Sequence, residues 1–228
     1  MDKVGAIVVA AGKSERMGGV EKIFVHISGK PLLAYAVETF NQSPIVDSIV
    51  IVLAKDKVGI GLDLVKKFGW NKVISVCAGG ARRQDSVSEG LKRLGKVDWV
   101  MIHDGARPCV TQDIIERGLE EARECGAAIP AMPVADTIKI ISNDSYIKDT
   151  PPRDKLWAVQ TPQVFRFDII SEAHRKTKGN VTDDASMVEG LGHKVKVFMG
   201  SYTNIKVTTP EDLVIAEAII KSREKAIK

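Results

Sequence analysis

Cysteine is sparse and unpatterned in this sequence: Cys77, Cys109 and Cys125 form no CxxC pair and are odd in number. That excludes a disulfide framework and a cysteine-built zinc site, and a reducing, cytoplasmic setting is expected. The four histidines, His26, His103, His174 and His193, have no partners at metal-ligand spacing, so each is read as structural or solvated and none as catalytic. Long hydrophobic runs are also missing. The opening MDKVGAIVVAAG holds about eight apolar residues before a polar loop, too few for a membrane-spanning helix, and it lacks a signal-peptide cleavage pattern. There is no basic run and no aromatic interleaving, which argues against a nucleic-acid partner. The first loop, AAGKSERMGG, matches neither the dinucleotide fingerprint GxGxxG nor the P-loop spacing GxxxxGK[ST].

What is present is an ordinary globular composition. The 228 residues are 44% hydrophobic and 27% charged, enough apolar side chain for a full core, and the net charge of +4 mildly favours an anionic substrate. A single domain spanning residues 1–228 is expected, with one small protruding element.

The order of hydrophobic patterns is that of an α/β protein. Gly5 to Ala10 is a short β-branched run of the kind buried on both faces of a sheet, and Ala11 to Gly19 breaks it with small and polar residues. Pro31 opens a helical stretch, LLAYAVETF, and SIVIVL follows as a second strand. Alternation continues with a helix near 56–68, a strand near 72–77, a helix near 82–94, a strand near 97–102 and a helix over 111–125. This rhythm predicts a mostly parallel sheet covered by helices. Beyond Met132 it changes: TIKII and SYI flank the turn signal SNDS and end in Pro151-Pro152, which reads as a β-hairpin arm over about 134–154. Helices near Phe167 and over 183–191, a strand at 194–198 and a last helix from Pro210 return to the main body. Trp157 and Phe165 read as packing under a loop, and 221–228 as a solvated charged helix end.

Three loops carry phosphate-compatible chemistry. The first, AAGKSERMGGVEK, leaves the first strand at its carboxyl end, where open α/β sheets bind ligands. Gly12, Gly18 and Gly19 let backbone amides approach a phosphate, and Lys13, Arg16 and Lys22 surround it with positive charge; the alternative is a solvated basic loop. The second, AGGARRQDSV, runs from a strand into a helix, with Gly79 and Gly80 permitting a tight turn before a helix amino terminus suited to an anion or a base edge. Its alternative is an ordinary βα turn capped by Asp85 or Ser86. The third, IHDGARP, places Asp104 to hold a sugar hydroxyl or magnesium, or to hold Arg107 in a structural ion pair. All three would open on the same edge of a parallel sheet, which favours a phosphorylated ligand.

Taken with DTIK, LWAVQTPQVF, TDDASMVE and NIKVTTPEDL, these motifs run collinearly from Ala10 to Leu213. In that order the set resembles the 2-C-methyl-D-erythritol 4-phosphate cytidylyltransferase family. The resemblance implies a Rossmann-like, mostly parallel sheet of the nucleotide-diphospho-sugar transferase type, with helices on both faces and a hairpin arm. It implies CMP transfer from CTP to a phosphorylated polyol, with Mg²⁺ held mainly by the CTP phosphates. Arg16, Lys22, Arg153 and Lys206 would be catalytic. Ala10, Ala11, Gly12, Lys13, Gly80, Ala81, Arg83, Ser86, Asp104 and Gly105 would bind the nucleotide. The acceptor would meet Arg107, Thr137, Arg153, Thr161, Thr182 and Lys206. The family's homodimers interlock their arms, so that Thr137 and Arg153 would reach the partner's site. Members usually carry Pro-Lys-Gln where this chain has Glu21, Lys22 and Ile23, and often alanine at Gly105. A ribitol-5-phosphate cytidylyltransferase shares the HD, DT, TPQ and TP features but not the first loop, AAGKSERMG; a nucleotide-binding module without catalysis is the other alternative, against which the retained Arg16, Lys22, Arg153 and Lys206 argue.

Overall fold

The computed structural model describes residues 2–12 and 22–226. Its centre is strand β1 (Val4–Ala10), followed by a small antiparallel pair, β2 (His26–Ile27) and β3 (Lys30–Pro31), and by helix α1 (Leu32–Gln42), for which Pro31 is the N-cap residue. β4 (Ser48–Leu53), α2 (Val58–Phe68), β5 (Val73–Ala78), α3 (Arg83–Leu94), β6 (Trp99–Asp104), α4 (Gln112–Cys125) and β7 (Ala127–Pro133) complete the alternating part. Then come the hairpin strands β8 (Ile140–Ile141) and β9 (Ile147–Asp149), and β10 (Trp157–Val159), β11 (Gln163–Arg166), α5 (Phe167–Lys176), α6 (Asp184–Gly190), β12 (Lys196–Met199) and α7 (Pro210–Ala226).

β1 pairs in parallel with β4 on one side and β6 on the other, and β4 pairs in parallel with β5. Strict two-residue alternation then divides the sheet's side chains between two faces. Val4, Ala6 and Val8, with Ile49, Ile51 and Met101, pack beneath α1 and α4; Ile7, with Val50, Val52, Val100 and Ile102, packs beneath α3, α5 and α6. Helices therefore cover both faces, as the continuous apolar runs implied. A third cluster seats α7 through Ala216 and Ile220 against Ile27, Leu32, Cys109 and Val207. Among the described residues, no helix is long and apolar enough to cross a membrane.

Beyond β6 the sheet departs from expectation. β11 lies between β6 and β7 and is antiparallel to both. Phe165, read from the sequence as packing under a loop, is wholly buried inside this strand, while Trp157 lies exposed on β10. Only four residues after Pro162, β11 is too short to show a period. β10 also pairs antiparallel with β7, and from Val159 to Val164 the chain advances five residues while its partner moves three, Ala131 to Ala128. Two extra residues therefore bulge out between them, around Thr161-Pro162. β12 also adds to β7, in parallel. The pair β8–β9 forms its own antiparallel hairpin, all of it exposed.

The approach of α3 to β1 is set by Gly90, where a Cβ would sit 2.5 Å from Cγ2 of Ile7. Replacing Gly90 by Val would overpack this contact, and we expect Gly90→Val to destabilise the fold by about 1–3 kcal/mol in urea unfolding. An unchanged midpoint would show that α3 is free to shift.

Candidate active site

Register puts the ends of the parallel strands on one edge: Ala10 lies opposite Leu53, and Val9 opposite Asp104. The loops that follow are tied to their neighbours, since Gly79 donates its N–H to the Leu53 carbonyl at 2.8 Å and Gly105 to that of Val9 at 2.8 Å. At Gly79 a Cβ would lie 2.5 Å from the Ser86 hydroxyl oxygen and 2.6 Å from Cβ of Ala11. Only glycine lets the α3 end come so near the first loop. Ser86 is buried; it accepts the Gly80 N–H at 3.2 Å and donates to the Arg82 carbonyl at 3.1 Å. Asp85 accepts the Arg82 N–H at 3.1 Å, so both capping residues suggested by the sequence do shape this turn. Gly80 and Ala81 remain exposed at its tip.

Asp104, 8% exposed at the end of β6, is the electrostatic centre of this edge. Its Oδ1 faces Nε of Arg83 at 3.2 Å, and its Oδ2 faces Nζ of Lys206 at 2.8 Å and Nε of Arg107 at 3.8 Å. Burial alone would raise its pKa, but Arg83, Lys206 and Arg107 outweigh burial and hold the carboxyl well below the usual range. Arg83 reaches a second acid, with its Nη1 2.6 Å from Oδ2 of the fully buried Asp184. Burial opposes the charge on Arg83, but Asp184 and Asp104 overcome it and raise its pKa. Arg107, by contrast, is lowered, mainly by burial. Its Nη1 donates to the Asn204 carbonyl at 2.8 Å.

Of the residues expected at the site, Arg83, Asp104, Arg107, Thr161 and Lys206 come together. Gly105 is buried beside Ala10, where a Cβ would sit 2.9 Å from that residue's Cβ, and Ala11 and Gly12 lead away from the strand end. Lys13 and Arg16 lie outside the described residues. Lys22 begins a single 3-10 turn, Lys22–Phe24, and Ile23, which stands where the family resemblance calls for glutamine, is buried in the core cluster that includes α1. Thr182 is exposed on the loop before α6. Thr137 and Arg153 are also exposed, at the root of the hairpin, where Arg153 donates to the Ala135 carbonyl at 2.8 Å. There Arg153 lines an open cleft of about 690 Å³ with Pro133, Val134, Asp154 and Trp157.

Three features refine the sequence reading. Arg83 was expected along the base, but its side chain is committed to two carboxylates. Thr161 was expected to meet the acceptor, but its hydroxyl turns inward, accepting the Asp104 N–H at 3.0 Å and bonding His103 Nδ1 at 3.0 Å. Asp104 was a candidate magnesium ligand, but each of its oxygens already faces a cation, a poor donor set for a second positive charge. Among the described residues no group of three His, Cys, Asp or Glu gathers to hold a metal. Sequence reasoning missed Asp184 and Gln163. Gln163 fastens α6 by accepting the N–H groups of Asp184 at 3.2 Å and Ala185 at 3.1 Å. In TDDAS the cap position of Asp183 is readable from the sequence, but the pairing of Asp184 with Arg83 and His174 across the fold is not.

Fold and site together define an α/β protein with three cations gathered on one buried carboxylate at the carboxyl edge of its sheet. The family model for 2-C-methyl-D-erythritol 4-phosphate cytidylyltransferase (IspD) matches residues 4–222, and the chain belongs to that family. Its relatives include the enzyme of that name from Dehalococcoides mccartyi, 51% identical over 96% of this chain and 97% of the relative. The Alkaliphilus oremlandii relative is 43% identical over 99% and 98% of the two chains. Among solved structures, 4-diphosphocytidyl-2C-methyl-D-erythritol synthase from Anaerococcus prevotii superposes with a TM-score of 0.85 at 33% identity, covering 96% of both chains. The Thermus thermophilus cytidylyltransferase gives a TM-score of 0.78 at 31% identity over 97% of this chain and all of that one.

Removing the Asp104 charge would leave buried cations without their partner, so Asp104→Asn should cost about 3–5 kcal/mol in chemical denaturation at neutral pH. Because the folded pKa of Asp104 is depressed, its stabilisation is complete above the unfolded carboxylate value of about 3.9 and is lost as pH falls through the lower, folded value. The variant should therefore show a flatter acid limb in a plot of stability against pH. A limb identical to wild type would mean that Asp104 is not held in this way.

Proposed function

We propose that the protein transfers the cytidylyl group of CTP to 2-C-methyl-D-erythritol 4-phosphate, releasing pyrophosphate, as a step in isoprenoid precursor synthesis. Family membership supports the substrates, and one observation carries the site assignment: Lys206 and Arg107 converge on one buried carboxylate at the sheet's carboxyl edge. Two cations held this way, one of them half exposed, stand ready for the phosphate of an acceptor. Asp104 keeps Lys206 oriented until the anion arrives.

The acceptor's phosphate monoester has a second pKa of about 6 and is largely dianionic at neutral pH, so attack needs no strong base. One of its oxygens forms a bond to the α-phosphorus of CTP, the bond from that phosphorus to the bridging β-phosphate oxygen breaks, and pyrophosphate leaves with the electron pair. Arg16 and Lys22 would stabilise the charge growing on the α-phosphate. The turn at Gly80, Ala81 and Ser86 would take the base, and Arg153 and Lys206 would align the acceptor. Mg²⁺ would enter as the CTP complex, bound by phosphate oxygens rather than by side chains. A cytoplasmic setting suits the three unpaired thiols.

We further propose a homodimer joined by the hairpin arms, with Thr137 and Arg153 serving the partner's site. In a single chain Arg153 donates to the Ala135 carbonyl at the root of the hairpin. The arm also exposes Ile138, Ile141, Tyr146 and Ile147, the last three to 60% or more, an apolar surface that a second copy would cover.

With CTP and Mg²⁺, pyrophosphate release is expected with methylerythritol phosphate and not with ribitol 5-phosphate. Release with ribitol 5-phosphate alone would keep the chemistry and replace the substrate; release with neither, from protein that binds CTP, would leave only a nucleotide binder. Lys22→Ala should fold normally and lose about 10²- to 10³-fold in turnover. Mixing Lys22→Ala with Arg153→Ala subunits should regenerate activity, since one site of each mixed dimer would be intact. Subunit exchange without recovery would contradict the shared site.

A further inference from the structure

The bulge between β10 and β11 carries Thr161 beneath the Asp104 loop, and what it meets there is a histidine. His103 is fully buried and packs against Phe40 with ring centroids 5.1 Å apart. A backbone N–H can only donate, so Thr161 Oγ1 accepts from Asp104 at 3.0 Å, and the same oxygen lies 3.0 Å from His103 Nδ1. The other ring nitrogen, Nε2, lies 3.1 Å from the Arg107 carbonyl, which can only accept. The ring therefore carries a proton on Nε2, and in its neutral form Nδ1 accepts the Thr161 hydroxyl. Burial pushes its pKa down to about 4, so this form persists at neutral pH.

One imidazole therefore ties both ends of the loop from Asp104 to Arg107, through Thr161 at one end and directly at the other. The same frame extends to Lys206. Asn204, two residues before it and fully buried, donates to the Thr161 carbonyl at 2.9 Å and accepts Arg107 Nη1 on its own carbonyl at 2.8 Å. His103 touches no solvent and so no substrate; whatever it contributes must pass through these neighbours.

We infer that His103 is a positioning residue for cytidylyl transfer, fixing Asp104, Arg107 and, through Thr161 and Asn204, Lys206 in the geometry that receives the acceptor's phosphate. This rests on the proposed reaction and adds to it a residue that the motif resemblance leaves without a role. It also gives Thr161 a positioning duty. The competing account is a core histidine that only fills space, and the two differ in what each kinetic constant does.

The test compares His103→Leu, which fills volume and removes both bonds, with His103→Asn, which keeps an acceptor for Thr161, and His103→Gln, which keeps a donor for Arg107. Thr161→Val and its double variant with His103→Leu complete a cycle. For His103→Leu we expect kcat/KM for the phosphorylated polyol to fall about 10- to 100-fold, because small misplacements of aligning groups are costly to rate. The KM for CTP and its calorimetric affinity should stay within about twofold. Asn and Gln should each restore part of the loss, and the double variant should be no worse than the poorer single, since both break one network. A lowered melting temperature with unchanged kinetics of the folded fraction, losses shared equally by both substrates, or losses that multiply in the double variant would overturn the inference. Should His103→Leu fail to fold, the Asn and Gln variants decide by the same criteria. Failure of the underlying reaction would look different: wild type itself would release no pyrophosphate, and His103 would then have nothing to position.

Discussion

Burying a carboxylate costs several kcal/mol unless positive groups replace the water it loses, and Asp104 meets that requirement with cations drawn from three separate stretches of chain. Arg83 comes from the first turn of α3, Arg107 from the loop after β6 and Lys206 from the irregular segment before α7. Each must arrive at the strand end for the charge to be tolerated there. Arg83 then recruits Asp184, and with it the amino end of α6, whose other anchor is Gln163 of β11. The interaction thus organises the carboxyl edge of the sheet, and what it stabilises is an arrangement of cations.

That arrangement explains how a site can attract polyanions and still remain ordered. Clustered cations repel one another, and a buried acid among them offsets that repulsion while restricting where each can point. Lys206 remains partly exposed and can turn outward; Arg83, held by two acids, is fixed. Arg83 is thus spent inside the structure, while Lys206 faces solvent. The arrangement also makes Asp104 ill-suited to a divalent metal.

Much of the fold was legible in the sequence because parallel strands buried on both faces are continuous apolar runs, and GAIVVA, SIVIVL and WVMI are such runs. Helix ends were legible where Pro31, Thr111 and Asp183 supplied starting signals. β11 was not, because four residues cannot display a period, and its burial derives from insertion between β6 and β7. The bulge at Thr161 depends on a register difference between two pairings to the same strand, which is a property of three dimensions. In the site, the glycine turns and Asp104 could be found from position alone, whereas Asp184 and His103 could not: their partners lie across the fold, and a buried polar residue in an apolar run resembles any other. Ile23 shows the reverse case, an apparent departure from the family pattern that the core accounts for.

The measurement that tests this account most directly is the structure of the protein with a non-reactive CTP analogue, Mg²⁺ and the phosphorylated polyol. The account predicts cytosine against the Gly80–Ser86 turn, Lys206 turned onto the acceptor's phosphate, and Asp104 still bound to Arg83 with no metal on its oxygens. A magnesium ion seated on Asp104, or a nucleotide away from this edge of the sheet, would contradict it.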